Sequence, residues 1–314
     1  MKTGLLQFDR RVTREARMIK AAFKAAIAVA FVASSTGPAI AESGAGPAMW
    51  RVTDADSEVY LFGTFHILPP TLGWTSAGLD EAMKRTPFTM TEADTDSPES
   101  QAKMAALVQE LGLNPPGVTL SSQLGPERAR QFGAVAEKIG VPMAALEPMR
   151  PWLALLSLAV GAMQAQGYSS EAGAETIILD RAAAQKDKVL HLETAEFQIR
   201  ALAGLSTEEW LADFERSLEQ IADFEGFSKR SLEAWRTGDL KSIDKEMIGP
   251  MRDAAPDAYK TLIVDRNRNW VGRIEDIMSG SDDYFIAVGA GHLIGEDGVI
   301  EMLGRKGYAI ERVQ

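Results

Sequence analysis

Two short stretches near opposite ends of the chain share one pattern. "VYLFGTFHILPP" (59–70) and "YFIAVGAGHLIG" (284–295) each run apolar, then glycine, two residues and histidine. The chain has three histidines, so two of them, His66 and His292, occupy matching settings. An imidazole held just past a strand end can ligate a metal or move a proton near neutral pH. Carboxylates close two further apolar runs, Glu92 in "FTMTEAD" and Glu193 in "KVLHLET". Two histidines with one or two glutamates make a nitrogen and oxygen donor set suited to zinc, manganese, cobalt or iron. Each residue also has a structural reading. A histidine at a strand end is commonly a hydrogen-bonded core or surface residue, and Glu92 could head a helix or meet a cation. "LETAEFQ" reads equally as a helix start, with Thr194 as cap and acids in the first turn. His191 lies two residues before Glu193, hence on the same strand face, and is an outside candidate. With no cysteine in the chain, thiolate ligands and cysteine nucleophiles are excluded.

The elements that must position these residues alternate between strand and helix. "MWRVTD" and "EVYLFG" read as strands joined by the turn-like "DADS", with "FTMTEAD", "KVLHLET", "YFIAVG" and "YAIERV" as four more. Amphipathic helices are expected over 76–85, 98–111, 126–139, 151–166, 173–186 and most of 194–280. "LNPPGVTLSS" and "IGVPMAALEPMRP" read as loops or short connecting strands. The class is α/β: a central mixed sheet with flanking helices and a helix-rich insertion before the last two strands. In such open sheets the ligand crevice lies beyond the carboxyl ends of the strands, where both histidines fall. The glycine before each histidine would let the chain turn off its strand and aim the ring at that crevice.

The first forty residues carry a basic run from Arg10 to Lys24, then "AAIAVAFVA", then Ala39-Ile40-Ala41 before Glu42. This is the pattern of a cleaved signal peptide, and the apolar run falls well short of the roughly 20 residues that span a bilayer. The expected division is a signal peptide over 1–41 and one domain over 42–314, in a periplasmic or secreted protein without a stable membrane anchor. Met18 is a second possible start. The net charge of −11 opposes binding to nucleic acid or anionic lipid. An exported chain without cysteine must stand on packing or a bound ion rather than on disulfides.

These residues also carry a resemblance. "LFGTFHILP", the strand ending in Glu92, Pro151-Trp152, "GAETIILDRAAAQKDKVLHLETAEFQ", "DRNRNW" and "VGAGHLIGEDGVIEMLGRKGY" resemble the TraB/GumN family, which includes the pheromone-shutdown proteins and the Tiki proteases. The resemblance runs from about Trp50 to Val313. It implies a fold similar to the erythromycin-esterase and ChaN-like group, and a divalent-metal-dependent peptidase site formed by His66, His292 and Glu92, with Mn, Co or Zn as the ion. Bacterial members usually carry aspartate where this chain has Glu175, and that position is left outside the expected site. The mechanism that fits is metal-assisted hydrolysis of a peptide or protein substrate, with Glu92 as ligand or base. Glu193 would then transfer protons, and Arg266 would pair with an oxyanion or substrate carboxylate. Arg266 has a structural reading too, as a salt bridge between helix and sheet. Two other classes stay open: a metal-free His/Glu esterase-like hydrolase, and a non-catalytic protein binding peptide or haem.

The signal-peptide reading makes a direct prediction. Protein recovered from its native host should begin at or near Glu42 and lie outside the cytoplasm. N-terminal sequencing decides this, and an intact Met1 or Met18 terminus on cytoplasmic protein would refute it.

Overall fold

The computed structural model describes residues 46–314; the proposed signal peptide over 1–41 lies outside them. Strands β1 (Met49–Thr53) and β2 (Glu58–Thr64) form an antiparallel hairpin. The Asp54 side chain closes its turn by accepting from the backbone N–H groups of Asp56 and Ser57 at 3.2 and 2.9 Å. β3 (Phe88–Thr91), β4 (Lys188–His191), β5 (Tyr284–Gly289) and β6 (Ala309–Arg312) complete a six-stranded mixed sheet ordered β4-β3-β5-β2-β1-β6. The first four of that order run parallel, and β1 and β6 are each antiparallel to their neighbours.

Burial follows the order. β5 is buried at every residue and β2 at all but its first, as expected of parallel strands covered on both faces. The edge strands β4 and β6 are only partly buried. Alternation sends Phe62 and Phe285 into a core with Trp74, Ile178 and Trp235, and sends Leu61 and Ile286 into a second core with Trp270 and Ile274. The helices Pro126–Lys138, Pro151–Ala165 and Phe214–Ala222 pack a further core of their own around Phe132, Leu158 and Phe214.

The helices expected from periodicity form close to their expected bounds, as Ala77–Arg85, Pro98–Gly112, Pro126–Lys138, Pro151–Ala165 and Ala174–Gln185. Two details differ. The stretches 113–122 and 139–151, expected as loops or connecting strands, contain the short helices Leu120–Leu124 and Met143–Leu146. Thr119 and Ser122 form a capping box that starts the first of these, a local signal stronger than the prolines before it. The stretch 194–280 is a series of helices interrupted by two π-helical turns, Asp244–Ile248 and Lys260–Val264, the second leading directly into the helix Asp265–Met278. Among the described residues no helix is long and apolar enough to cross a membrane.

Trp235 ties the helical part to the strand that ends near His66. Its ring is fully buried and stacks on Phe65 with centroids 5.2 Å apart, while its Nε1–H donates to the Gly63 carbonyl at 2.8 Å. Trp235→Phe should therefore destabilise the protein by about 1–3 kcal/mol, because a buried carbonyl loses its donor. Urea unfolding measures this, and an unchanged midpoint would show that the hydrogen bond carries no net stability.

Candidate active site

The parallel strands deliver their ends to one edge. Thr64 of β2 pairs with Gly289 of β5, and Thr91 of β3 pairs with Ala287 of β5 and His191 of β4. His66 thus follows β2, His292 ends the 3₁₀ turn Ala290–His292 after β5, Glu92 follows β3 and Glu193 lies just beyond β4. The ladder continues past the strands, with Leu192 N–H donating to Thr91 O at 2.9 Å and Glu193 N–H to Glu92 O at 2.8 Å. His66, Glu92 and His292 are all buried.

Two glycines are required by close approach rather than by a left-handed turn. A Cβ on Gly289 would lie 3.2 Å from Glu92 Oε1 and 3.6 Å from His66 Nε2, so its absence keeps space open between a carboxylate and an imidazole. A Cβ on Gly173 would lie 2.1 Å from the His66 carbonyl oxygen. Glycine there lets the helix Ala174–Gln185 begin directly against the His66 turn, where Ala174 N–H donates to Phe65 O at 2.9 Å.

That docking brings in a residue the sequence reading left out. Glu175, in the first turn of the helix, hydrogen-bonds His66 Nδ1 through Oε2 and accepts from Thr64 Oγ1 at 2.8 Å through Oε1. His66, Glu92 and Glu175 each offer a ligand atom, all within 4.8 Å of one another. One nitrogen and two carboxylate donors, buried or nearly so, match the chemistry of a divalent-ion site. The signal for Glu175 was present in "GAE": an acid just after a glycine that heads a helix, within a matching segment.

His292 does a different job. Its Nε2 lies 3.0 Å from Arg266 Nη1, and its Nδ1 lies 2.7 Å from Asn267 Oδ1. A guanidinium can only donate, so Nε2 accepts and Nδ1–H donates to Asn267. Asn267 is oriented in turn by donating from Nδ2 to Asp297 O at 2.6 Å. Burial, reinforced by the neighbouring Arg266 charge, holds His292 well below the ordinary histidine pKa. The ring is therefore neutral with both nitrogens engaged, and it stands beside the three-residue donor group rather than in it.

Arg266 is the hub. Its Nη2 donates to Glu92 Oε2 at 2.7 Å and Glu193 Oε1 at 2.6 Å, and its Nε donates to Glu193 Oε1 at 3.0 Å. Nη1 serves Leu262 O at 3.2 Å as well as His292. Burial alone would make the guanidinium easier to deprotonate, but Glu92 and Glu193 raise its pKa above the ordinary value. All five N–H groups are thus engaged within the protein. The bridge between helix and sheet is the role seen, and no donor is left aimed at a substrate oxyanion. Glu193 also accepts from Gln198 Nε2 at 2.7 Å and from Trp270 Nε1 at 3.0 Å. Glu92 accepts from Gly289 N–H at 2.8 Å and Gln198 Nε2 at 3.0 Å. Thr194 caps the helix Ala195–Gly204 as expected, so Glu193 both precedes a helix and joins the cluster. His191 pairs with Thr91 Oγ1 at 2.9 Å on the flank, its pKa lowered by burial against the pull of Asp94 and Asp96.

The sequence model of the TraB/PrgY/gumN family matches residues 48–312. A metalloprotease TIKI homolog of Amphimedon queenslandica is 31% identical over 85 residues, which is 26% of this chain and 14% of that protein. The uncharacterised protein YbaP of Escherichia coli (strain K12) is 22% identical over 257 residues, covering 82% of this chain and 92% of that one. No solved structure matches.

The assigned tautomer of His292 is testable. Nitrogen-15 spectra should show the neutral Nδ1–H form persisting well below the free histidine value near 6.5. The sign for stability follows. The unfolded state takes up the proton first, so this residue's contribution is present above about pH 6.5 and is lost as pH falls below it. His292→Gln should flatten that part of the pH–stability curve, and an Nε2–H tautomer would overturn the assignment.

Proposed function

The chain belongs to the TraB/PrgY/gumN family, and on that premise we propose that it is a divalent-metal-dependent hydrolase acting on peptides or proteins outside the cytoplasm. One observation carries this reading: His66, Glu92 and Glu175 converge within 4.8 Å at the ends of the parallel strands. The charge count supports it. Three carboxylates, Glu92, Glu175 and Glu193, meet one guanidinium, so the cluster keeps two negative charges that a divalent ion would balance. The similarity to the metalloprotease TIKI homolog of Amphimedon queenslandica supports the same class.

His66, Glu92 and Glu175 would hold the ion. Such an ion supplies Lewis-acid polarisation of a carbonyl and a more acidic water when bound. The chain's own residues do the positioning. Glu175 accepts from His66 Nδ1, which fixes the ring and puts the lone pair on Nε2, the nitrogen that lies towards Glu92 across Gly289. Arg266, Gln198 and the Gly289 amide hold the Glu92 carboxylate in place, with Oε1 towards His66. Glu193, neutralised by Arg266, is a reserve for proton movement only if that bridge loosens. A second reading rests on one contact. The Glu175–His66 hydrogen bond is also the arrangement of a general base oriented by a carboxylate, which would hydrolyse an ester or amide without metal.

The two are separated by metal dependence. The mature protein should bind Mn²⁺, Co²⁺ or Zn²⁺ by calorimetry, and a peptide-library digest should stop on adding chelator and resume on restoring the ion. His66→Ala should lose both ion and turnover, and Glu175→Gln should weaken metal binding by about 10–100-fold. His292→Gln should retain the ion, because its nitrogens serve Arg266 and Asn267. Chelator-resistant turnover that is abolished by Glu175→Gln would favour the metal-free hydrolase.

A further inference from the structure

A cavity of about 80 Å³ adjoins the site on the side of Gln198, Arg266 and His292. By the ~10–15 Å³ of such volume that one water needs, it has room for several waters or a short side chain. Its walls are mostly apolar, from Leu155, Leu156, Leu202, Trp210, Met251 and Ile263. It does not reach His66 or Glu175; Gln198 and Arg266, which both hold Glu92, form the partition.

Its charged lining is Arg266, Glu209 and Asp213. Two of these are already committed. The donors of Arg266 are all engaged, and Glu209 accepts from Ser206 N–H at 2.5 Å in a capping box. Asp213 is not. It stands at the start of the helix Phe214–Ala222, where an aspartate commonly caps the backbone, yet its side chain makes no capping bond. Its Oδ2 is buried with no hydrogen-bond partner among the described residues. Burial pushes the carboxyl pKa up to about 6 despite the opposing charge of Arg216. The residue as a whole is half-buried, but a carboxylate oxygen turned inward without a donor costs stability that asparagine at the same position would largely avoid. An occupant that donates to it would offset that cost.

We propose that this cavity is a recognition subsite for an aliphatic stem ending in a primary ammonium group, with Asp213 as the residue that reads the charge. A lysine side chain has that form, a flexible four-carbon stem tipped by a compact cation, and apolar walls accept the stem while the acid meets the tip. As a substrate subsite the assignment rests on the hydrolase reading: a lysine held here would lie one hydrogen-bonded layer from Glu92. As a binding site for alkylammonium groups it stands without that reading.

The test uses chelator-treated protein at pH 7.5, so that the metal site takes no part. The Trp210 indole resonance is followed during titration with n-hexylamine, with n-hexanol as the neutral counterpart, and with Nα-acetyl-lysine methylamide. Wild type should bind hexylamine at least about tenfold more tightly than hexanol, the size expected of a charge-assisted hydrogen bond. Asp213→Asn should bring the two alcohol and amine affinities together while leaving hexanol binding unchanged. Binding of the lysine derivative as well identifies a peptide side chain as the occupant, whereas binding of hexylamine alone restricts the site to free alkylamines. Equal affinity of wild type for hexylamine and hexanol, a preference that survives Asp213→Asn, or no binding of either probe would overturn the proposal. Manganese binding, measured separately on the same preparation, reports on the hydrolase reading alone.

Discussion

Everything at the strand ends depends on one buried guanidinium. Arg266 is 3% exposed and Glu92 4%, and the side chain of Glu193 is 8% exposed. Desolvating three charges is expensive, and such a cluster persists only where every donor and acceptor is matched. Here the match is complete for the guanidinium, with Glu92, Glu193, His292 and the Leu262 carbonyl accounting for all its N–H groups. Its ring-facing side is covered by Trp270, whose centroid lies 4.8 Å from the guanidinium carbon. The result is a polar clamp that joins the ends of β3 and β4, the turn after β5 and the helix Asp265–Met278 into one unit.

The clamp also explains an irregularity in the helix that carries it. A π-helical turn, Lys260–Val264, runs straight into the segment holding Arg266, and the guanidinium donates to the carbonyl of Leu262 within that turn. A π turn displaces the following residues around the helix axis relative to a regular α-helix, and such turns concentrate at functional sites. Leu262 and Ile263 from the same turn also line the adjoining cavity. One local distortion thus serves both the aim of Arg266 and the shape of the space beside it.

Much of this was legible in the sequence, for identifiable reasons. The six strands announced themselves because the central ones are covered on both faces and read as unbroken apolar runs, as in "VYLFG" and "YFIAVG". His66, His292, Glu92 and Glu193 all reach one edge because strand ends are local properties, and Arg266 reaches the same edge from the helix Asp265–Met278. What the sequence did not disclose depends on packing between distant elements. Glu175, 109 positions after His66, enters the site only because Gly173 allows a helix to start against that residue's own turn. Residue types at strand ends say which groups gather. They do not say which group faces which, and that pairing decides ligand from scaffold.

The two matching motifs illustrate the point. Both histidines leave parallel, neighbouring strands after the same Gly-x-x-His spacing, His292 by a 3₁₀ turn and His66 by an irregular one. Their chemistry diverges because of what is packed against each ring. A carboxylate beside His66 favours a proton on Nδ1 and electron density on Nε2, the condition for a ligand or a base. Burial opposes protonation of His292, and the guanidinium beside it adds to that and claims the Nε2 lone pair, the condition for a neutral ring. The repeated motif therefore sets where an imidazole stands, and the helix laid against it sets what the imidazole can do.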